Sequence, residues 1–200
     1  MSVSGVILLL FVAVTVVIVM FIWRSYNRLV TLRNRYRNAY SQIDVQLQRR
    51  YDLIPNLVET AKGYMAHERE TLEAVVAARS QAMSASRAAA ADPGDPQAMQ
   101  QAMQAEAGLT GMLGRLMVVS EAYPDLKADQ SMQTVMEELR TTENRISFAR
   151  QAFNDGVTLY NTSREVFPNN LVANTFNFSL AELWQEITSE ARQTPRVSFS

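Results

Sequence analysis

The feature that most constrains this chain is an uncharged run of 21 residues near its start, Val3 to Trp23 (VSGVILLLFVAVTVVIVMFIW). As a helix it spans roughly 31 Å, the thickness of a hydrocarbon core of about 30 Å. A cleaved signal peptide fits it badly. No Lys or Arg precedes the run, the run is too long for a signal core, and no Ala-x-Ala site follows. Trp23 and Arg24 instead mark an interface. The run reads as an anchor that stays.

Charge sets the expected orientation. Residues 24–37 hold five arginines (Arg24, Arg28, Arg33, Arg35, Arg37) and no acid, and the tail MSVS holds no side-chain charge. The positive-inside rule predicts the N-terminus outside and the body in the cytoplasm. The collar either sets topology alone or also holds anionic lipid. The remaining residues, 38–200, carry fourteen basic and twenty acidic groups, a net −6. The whole chain is net −1, so no global field points to nucleic acid.

Composition narrows the body to helices. Seven glycines and six prolines in 200 residues are few for an all-β chain, and zero cysteines exclude disulfides, thiolate metal sites and an acylated-cysteine anchor. From Leu29 a helical stripe runs through Leu32, Tyr36, Tyr40, Ile43, Leu47, Ile54, Leu57, Ala61, Met65, Leu72 and Val75, in phase across Pro55. This predicts a nearly continuous helix kinked at Pro55, with a full break at Ile54–Pro55 as the alternative. It ends before Asp92-Pro-Gly-Asp-Pro96, a strong turn signal in which Asp95 caps the next helix and Pro96 takes its first position.

A second helix carries Met99, Met103, Leu109, Leu113 and Leu116 to about Tyr123, where Pro124 stops it. A third starts near Gln130, carries Met132, Leu139, Ile146, Phe153, Val157 and Tyr160, and ends before Pro168. The Asn-rich stretch after Phe167 predicts an ordered loop over the bundle end. Ser179-Leu-Ala-Glu182 is a capping box, predicting a short last helix from Leu180 to about Ala191. The fold class is all-α: a transmembrane helix continuing into a long, Pro-kinked helix of an antiparallel four-helix bundle. Anchor (1–23), collar (24–37), bundle (38–178) and C-terminal segment (179–200) are its parts. Residues 24–91 as one helix would reach roughly 100 Å against about 39 Å for residues 97–122. That mismatch leaves apolar stripe bare and predicts self-association.

Polar residues interrupt the stripes. Glu143, Arg150, Asn154 and Asn161 are spaced 7, 4 and 7, within about 40° of one another on a helix. Arg50, Glu68 and Arg79 fall on the first stripe. These residues form either a paired network that fixes helix register or a binding or catalytic constellation. The inventory favours the first. A bundle di-iron site needs Glu-x-x-His on two helices and a zincin needs His-Glu-x-x-His, whereas this chain has one histidine, His67. Phosphate loops and dinucleotide fingerprints are absent. No cofactor is predicted, and the chain reads as non-enzymatic.

The order of particular residues resembles the bacterial LemA family. The resemblance rests on Tyr26-Asn-Arg-Leu-Val30, Ser41-Gln-Ile-Asp-Val-Gln-Leu47 and Arg49-Arg-Tyr-Asp-Leu-Ile-Pro-Asn-Leu-Val-Glu59. Further on it rests on Glu121-Ala-Tyr-Pro-Asp-Leu-Lys127, Glu143-Asn-Arg-Ile146, Phe153-Asn-Asp155, Tyr160-Asn-Thr162 and Phe167-Pro168. Phe153 stands where that family often has Tyr. The resemblance implies a single-pass bacterial membrane protein with a helical cytoplasmic bundle, and it brings no catalytic residues. A magnetosome-membrane relative implies membrane organisation. Gene neighbours of the family imply an HtpX-like membrane protease or a TPM-domain protein as partner. Membrane lipids and further copies of the chain are the other expected partners. Two functions follow as expectations: an oligomeric membrane scaffold, or an accessory subunit of a protease or envelope-stress system.

Overall fold

The computed structural model describes residues 3–185. Among them every regular element is helical. The first helix, α1 (Val3–Lys62), is 60 residues long, about 90 Å from end to end. Its first third has its apolar side chains exposed and is long and apolar enough to cross a membrane. From Leu29 onward one face turns inward. Leu29, Tyr36, Tyr40, Ile43, Leu47, Ile54 and Leu57 are at most 3 % exposed.

Pro55 lies inside α1 and does not end it. A helical proline deprives the carbonyl four residues earlier of its donor. That carbonyl belongs to Tyr51, and Arg79 Nε donates to it at 2.6 Å. The chain breaks further on, at Gly63–Glu68, so the expectation of one helix reaching residue 91 is corrected. The backbone N–H groups of Tyr64 and Met65 both reach the Ala61 carbonyl, at 3.1 and 2.9 Å. Met65, on the predicted stripe, is fully buried as the plug of this turn.

The second long helix, α2 (Arg69–Ala91), therefore doubles back along α1. Its end meets the level of Arg37, which pairs with Asp92 at 3.0 Å. The turn and its cap form as the sequence predicts: α3 (Pro96–Ser120) opens on Pro96, and Asp95 accepts from the Ala98 N–H at 2.7 Å. Pro124 both follows the end of α3 and opens a five-residue helix, α4 (Pro124–Ala128). The long α5 (Gln130–Glu165) is capped by Asp129, whose side chain accepts from the Met132 N–H at 2.9 Å. It returns antiparallel along α1. Gly156 lies so close to Tyr36 that a Cβ there would sit 3.2 Å from Tyr36 Cα.

The stretch expected as a loop contains a short helix, α6 (Asn169–Thr175), tied to α1 where Ser25 Oγ donates to Asn169 Oδ1 at 2.7 Å. The chain then runs back along α5 without helix from Phe178 to Gln185. The predicted last helix is thus corrected over 180–185, and its remainder lies outside the described residues. Asn and Arg side chains of α5 bond the backbone there and hold it extended, overriding the capping box. This return also corrects the expectation of a bare membrane-proximal stripe. The end of α5, α6 and Phe178 cover Leu29 and Ser25 within one chain.

Candidate functional site

The polar residues of the stripes separate into two structures. The first is a buried ion cluster at mid-bundle. Arg50 is 2 % exposed and donates from Nη1 to Glu106 Oε2 at 3.1 Å and from Nη2 to Thr110 Oγ1 at 2.7 Å. Glu143 Oε2 approaches Arg50 Nη1 at 3.5 Å from a half-exposed position. Tyr51, next along α1, donates its hydroxyl to the other oxygen of Glu106. Arg50 thus joins α1, α3 and α5 at one level.

Glu106 was not singled out from sequence, although it stands on the apolar line Met99, Met103, Leu109. An acid on such a line is the signal that would have found it. Burial pushes its carboxyl above the ordinary carboxylate value, while the Tyr51 hydroxyl and the Arg50 charge pull it down. Burial, then the neighbouring Glu106 charge, pushes the Tyr51 hydroxyl well above its ordinary value. Tyr51 therefore stays protonated and remains the donor.

The second structure is a clamp on the returning C-terminal segment. Asn154 donates to the Trp184 carbonyl at 3.0 Å and accepts from the Trp184 N–H at 2.8 Å. Asn161 does the same to Ala181, at 2.9 and 3.1 Å. Each amide thereby mimics one rung of a β-ladder. Tyr160 and Arg164 add bonds to the carbonyls of Ser179 and Phe178, at 2.8 and 2.6 Å. Arg150 lies over the Trp184 ring, 4.8 Å from its centroid. Trp184 itself is buried against Tyr40.

Two of the singled-out residues stand apart from both. Arg79 serves the Tyr51 carbonyl. Glu68 lies in the α1–α2 turn, where it accepts from the Tyr123 hydroxyl at 3.3 Å. A second tyrosine, Tyr64, crosses the same end of the bundle to Asp129 Oδ2 at 3.0 Å. The lone His67 is exposed in this turn.

The arginine collar divides as well. Arg37 is engaged by Asp92, and Arg33 packs over Phe178 at 5.2 Å. Arg24, Arg28 and Arg35 are exposed. Arg24 and Arg28 lie within about 8 Å of Trp23 along the helix axis, whereas Arg35 lies about 18 Å away. The latter exceeds a screening length of about 8–10 Å.

Two open clefts lie away from the ion cluster. One, of about 640 Å³, sits at the membrane-distal end between α1 and α2 and is lined by Val58, Met65, Leu72 and Val76 with Lys62, Arg69 and Glu73. A second, of about 390 Å³, lies between α3 and α5 and is lined by Met117, Met132 and Met136 with Lys127 and Arg140. No group of three or more His, Cys, Asp or Glu able to hold a metal occurs among the described residues. The arrangement binds helices to one another and offers apolar surface at its open end.

Comparison with known proteins finds relatives along most of the chain. Magnetosome protein MamQ 2 of Paramagnetospirillum magneticum is 26 % identical over 188 residues, which covers 86 % of this chain and 68 % of that protein. Magnetosome protein MamQ of Magnetospirillum gryphiswaldense is 24 % identical with the same coverage. The family model for the LemA family matches residues 39–199, which takes in the ion cluster and the clamp. The chain, a membrane-associated helical protein, belongs to the LemA family.

Proposed function

We propose that this protein is a non-catalytic, oligomeric scaffold of the bacterial cytoplasmic membrane, with its N-terminus outside and its bundle in the cytoplasm. The observation that carries this reading is the continuity of α1. One helix leaves the apolar segment and becomes the central stave of the bundle without a joint. The ion cluster and the clamp lock α3, α5 and the C-terminal segment to that stave, so the bundle stands at a fixed height above the bilayer. Five arginines directly after Trp23 support the orientation. The names of the MamQ relatives, magnetosome proteins, support a role in organising membrane.

Contact between copies would not use the α1 stripe, which each chain buries for itself. The distal cleft between α1 and α2 is one apolar surface available for it. The test is the mass and shape of the full-length protein in mild detergent, by mass photometry and negative-stain imaging. A uniform high-order assembly is expected. A monomer at micromolar concentration overturns the scaffold reading.

The same cleft favours a second reading, an accessory subunit of a membrane protease or envelope-stress system, with an HtpX-like or TPM-domain protein as partner. Its apolar floor, rimmed by the Lys62–Glu59 and Arg69–Glu73 ion pairs, suits an apolar segment of a partner. Stoichiometric co-purification of one membrane protein supports this reading, and isolation of the bait alone removes it.

A further inference from the structure

The lower end of the bundle faces the bilayer. Gly156 lies opposite Tyr36 on antiparallel helices, so the last residues of α5 descend to the level of Ser25. There Ser25 holds Asn169, and α6 crosses with Phe176 edge-on to Tyr26 at a centroid distance of 5.1 Å. Ser25 is two residues past Trp23, about 3 Å along the axis. Residues 166–176 therefore form the membrane-facing base of the body.

Exposed apolar side chains gather at this base. Higher on the body Val45, Val118 and Phe148 are also exposed. Within the base Val166 is 46 % exposed, Phe167 79 %, Leu171 59 % and Phe176 48 %. A niche of about 330 Å³ lined by Val19, Ile22, Trp23, Tyr26 and Phe176 joins them to the spanning segment. Apolar surface thus continues from the anchor onto α6, and Arg24 and Arg28 are exposed at the same level of α1.

We propose that residues 166–176 are a second membrane-contact surface, seated among the headgroups and upper acyl chains of the leaflet on the body's side. Continuity with the spanning helix names the occupant as lipid. Aromatic side chains and arginines at one level are the composition that favours a bilayer interface carrying anionic headgroups. Attachment at two points fixes the tilt and rotation of α1, which a lone spanning helix leaves free. The inference rests on the reading of Val3–Trp23 as membrane-spanning, and the test separates the two.

The chain has no cysteine, so single-cysteine variants carry one nitroxide label each. Phe167→Cys and Leu171→Cys probe the base. Phe148→Cys, at a site 73 % exposed on α5, reports water, and Val12→Cys reports the anchor. Full-length protein is reconstituted in phosphatidylethanolamine–phosphatidylglycerol vesicles, and collisions with oxygen and with a water-soluble nickel chelate are compared. The oxygen-to-nickel ratio is expected to be several-fold higher at positions 167 and 171 than at 148. Equal ratios at 148, 167 and 171 with a lipid-like value at 12 overturn the base while sparing the anchor. A water-like value at 12 overturns the anchor, and the base with it. Low collision with both reagents at 167 and 171 means that protein covers the base, and also overturns the proposal.

Discussion

Arg79 of α2 donates to the carbonyl of Tyr51 at 2.6 Å, the carbonyl that Pro55 leaves without a helical donor. One side chain thereby repairs the ladder and pins α2 to α1. The two residues are expected to be coupled. Arg79→Ala strands a buried carbonyl and costs about 1–3 kcal/mol. In a Pro55→Ala background the amide of residue 55 bonds that carbonyl, so the same substitution costs less, by about 0.5 kcal/mol or more. Pro55 is exposed, so Pro55→Ala alone does not destabilise. A double-mutant cycle by chemical denaturation in detergent checks this, and strict additivity would refute the repair.

Arg50 and Glu106 make a second coupled pair, both 2 % exposed. Arg50→Ala leaves the acid buried beside an apolar gap, and a loss of about 3–5 kcal/mol is expected. Arg50→Met with Glu106→Gln removes both charges, fills the volume and keeps an acceptor for the Tyr51 hydroxyl. That double variant should recover most of the loss. If it is as unstable as Arg50→Ala, the cluster stabilises through shape and not through charge.

Two acids shape the pH dependence in opposite senses. Burial raises Glu106 in the folded state. Its contribution is full below its unfolded value of about 4.3 and is lost as pH rises through the higher folded value. Asp129 is lowered, first by the Met132 N–H and then by the Tyr64 hydroxyl. Its contribution is present above about 3.9 and is lost as pH falls through the lower folded value. Denaturation midpoints measured from about pH 3 to about pH 8 should therefore decline less with rising pH in Glu106→Gln, and less on acidification in Asp129→Asn. An unchanged slope in either variant removes that residue from the account.

Most of the fold was legible because its signals are local. Asp95-Pro96 specified a cap and a first helical position within four residues, and the inward face of α1 followed from spacing alone. The break after Lys62 was not legible, because Pro55 looked the stronger breaker and its repair comes from Arg79, 24 positions after it. The C-terminal segment misled for the same reason. Its capping box is local, whereas Asn154 and Asn161, which hold its backbone extended, are 30 and 20 residues away. Glu106 was passed over beside the more numerous charges of the third predicted helix. Its partner lies 56 residues off, and no spacing rule reaches that far.

The glycines test how tightly α5 lies on α1. In a helix interior Ala is more favourable than Gly by about 0.8–1 kcal/mol. At Gly111 of α3 an added Cβ meets nothing within 4 Å, so Gly111→Ala should gain about that amount. At Gly156 the same atom would lie 3.2 Å from both Cα and Cβ of Tyr36. Tyr36 is 3 % exposed and packs its ring on Tyr160 and Phe153, so it cannot move aside freely. Overpacking there costs about 1–3 kcal/mol, which exceeds the helical gain, and Gly156→Ala should destabilise. Thermal midpoints of the two variants are thus expected to move in opposite directions. A Gly156→Ala protein as stabilised as Gly111→Ala would mean that α5 can lift from α1 at little cost. The bundle would then no longer be held rigidly on the membrane helix.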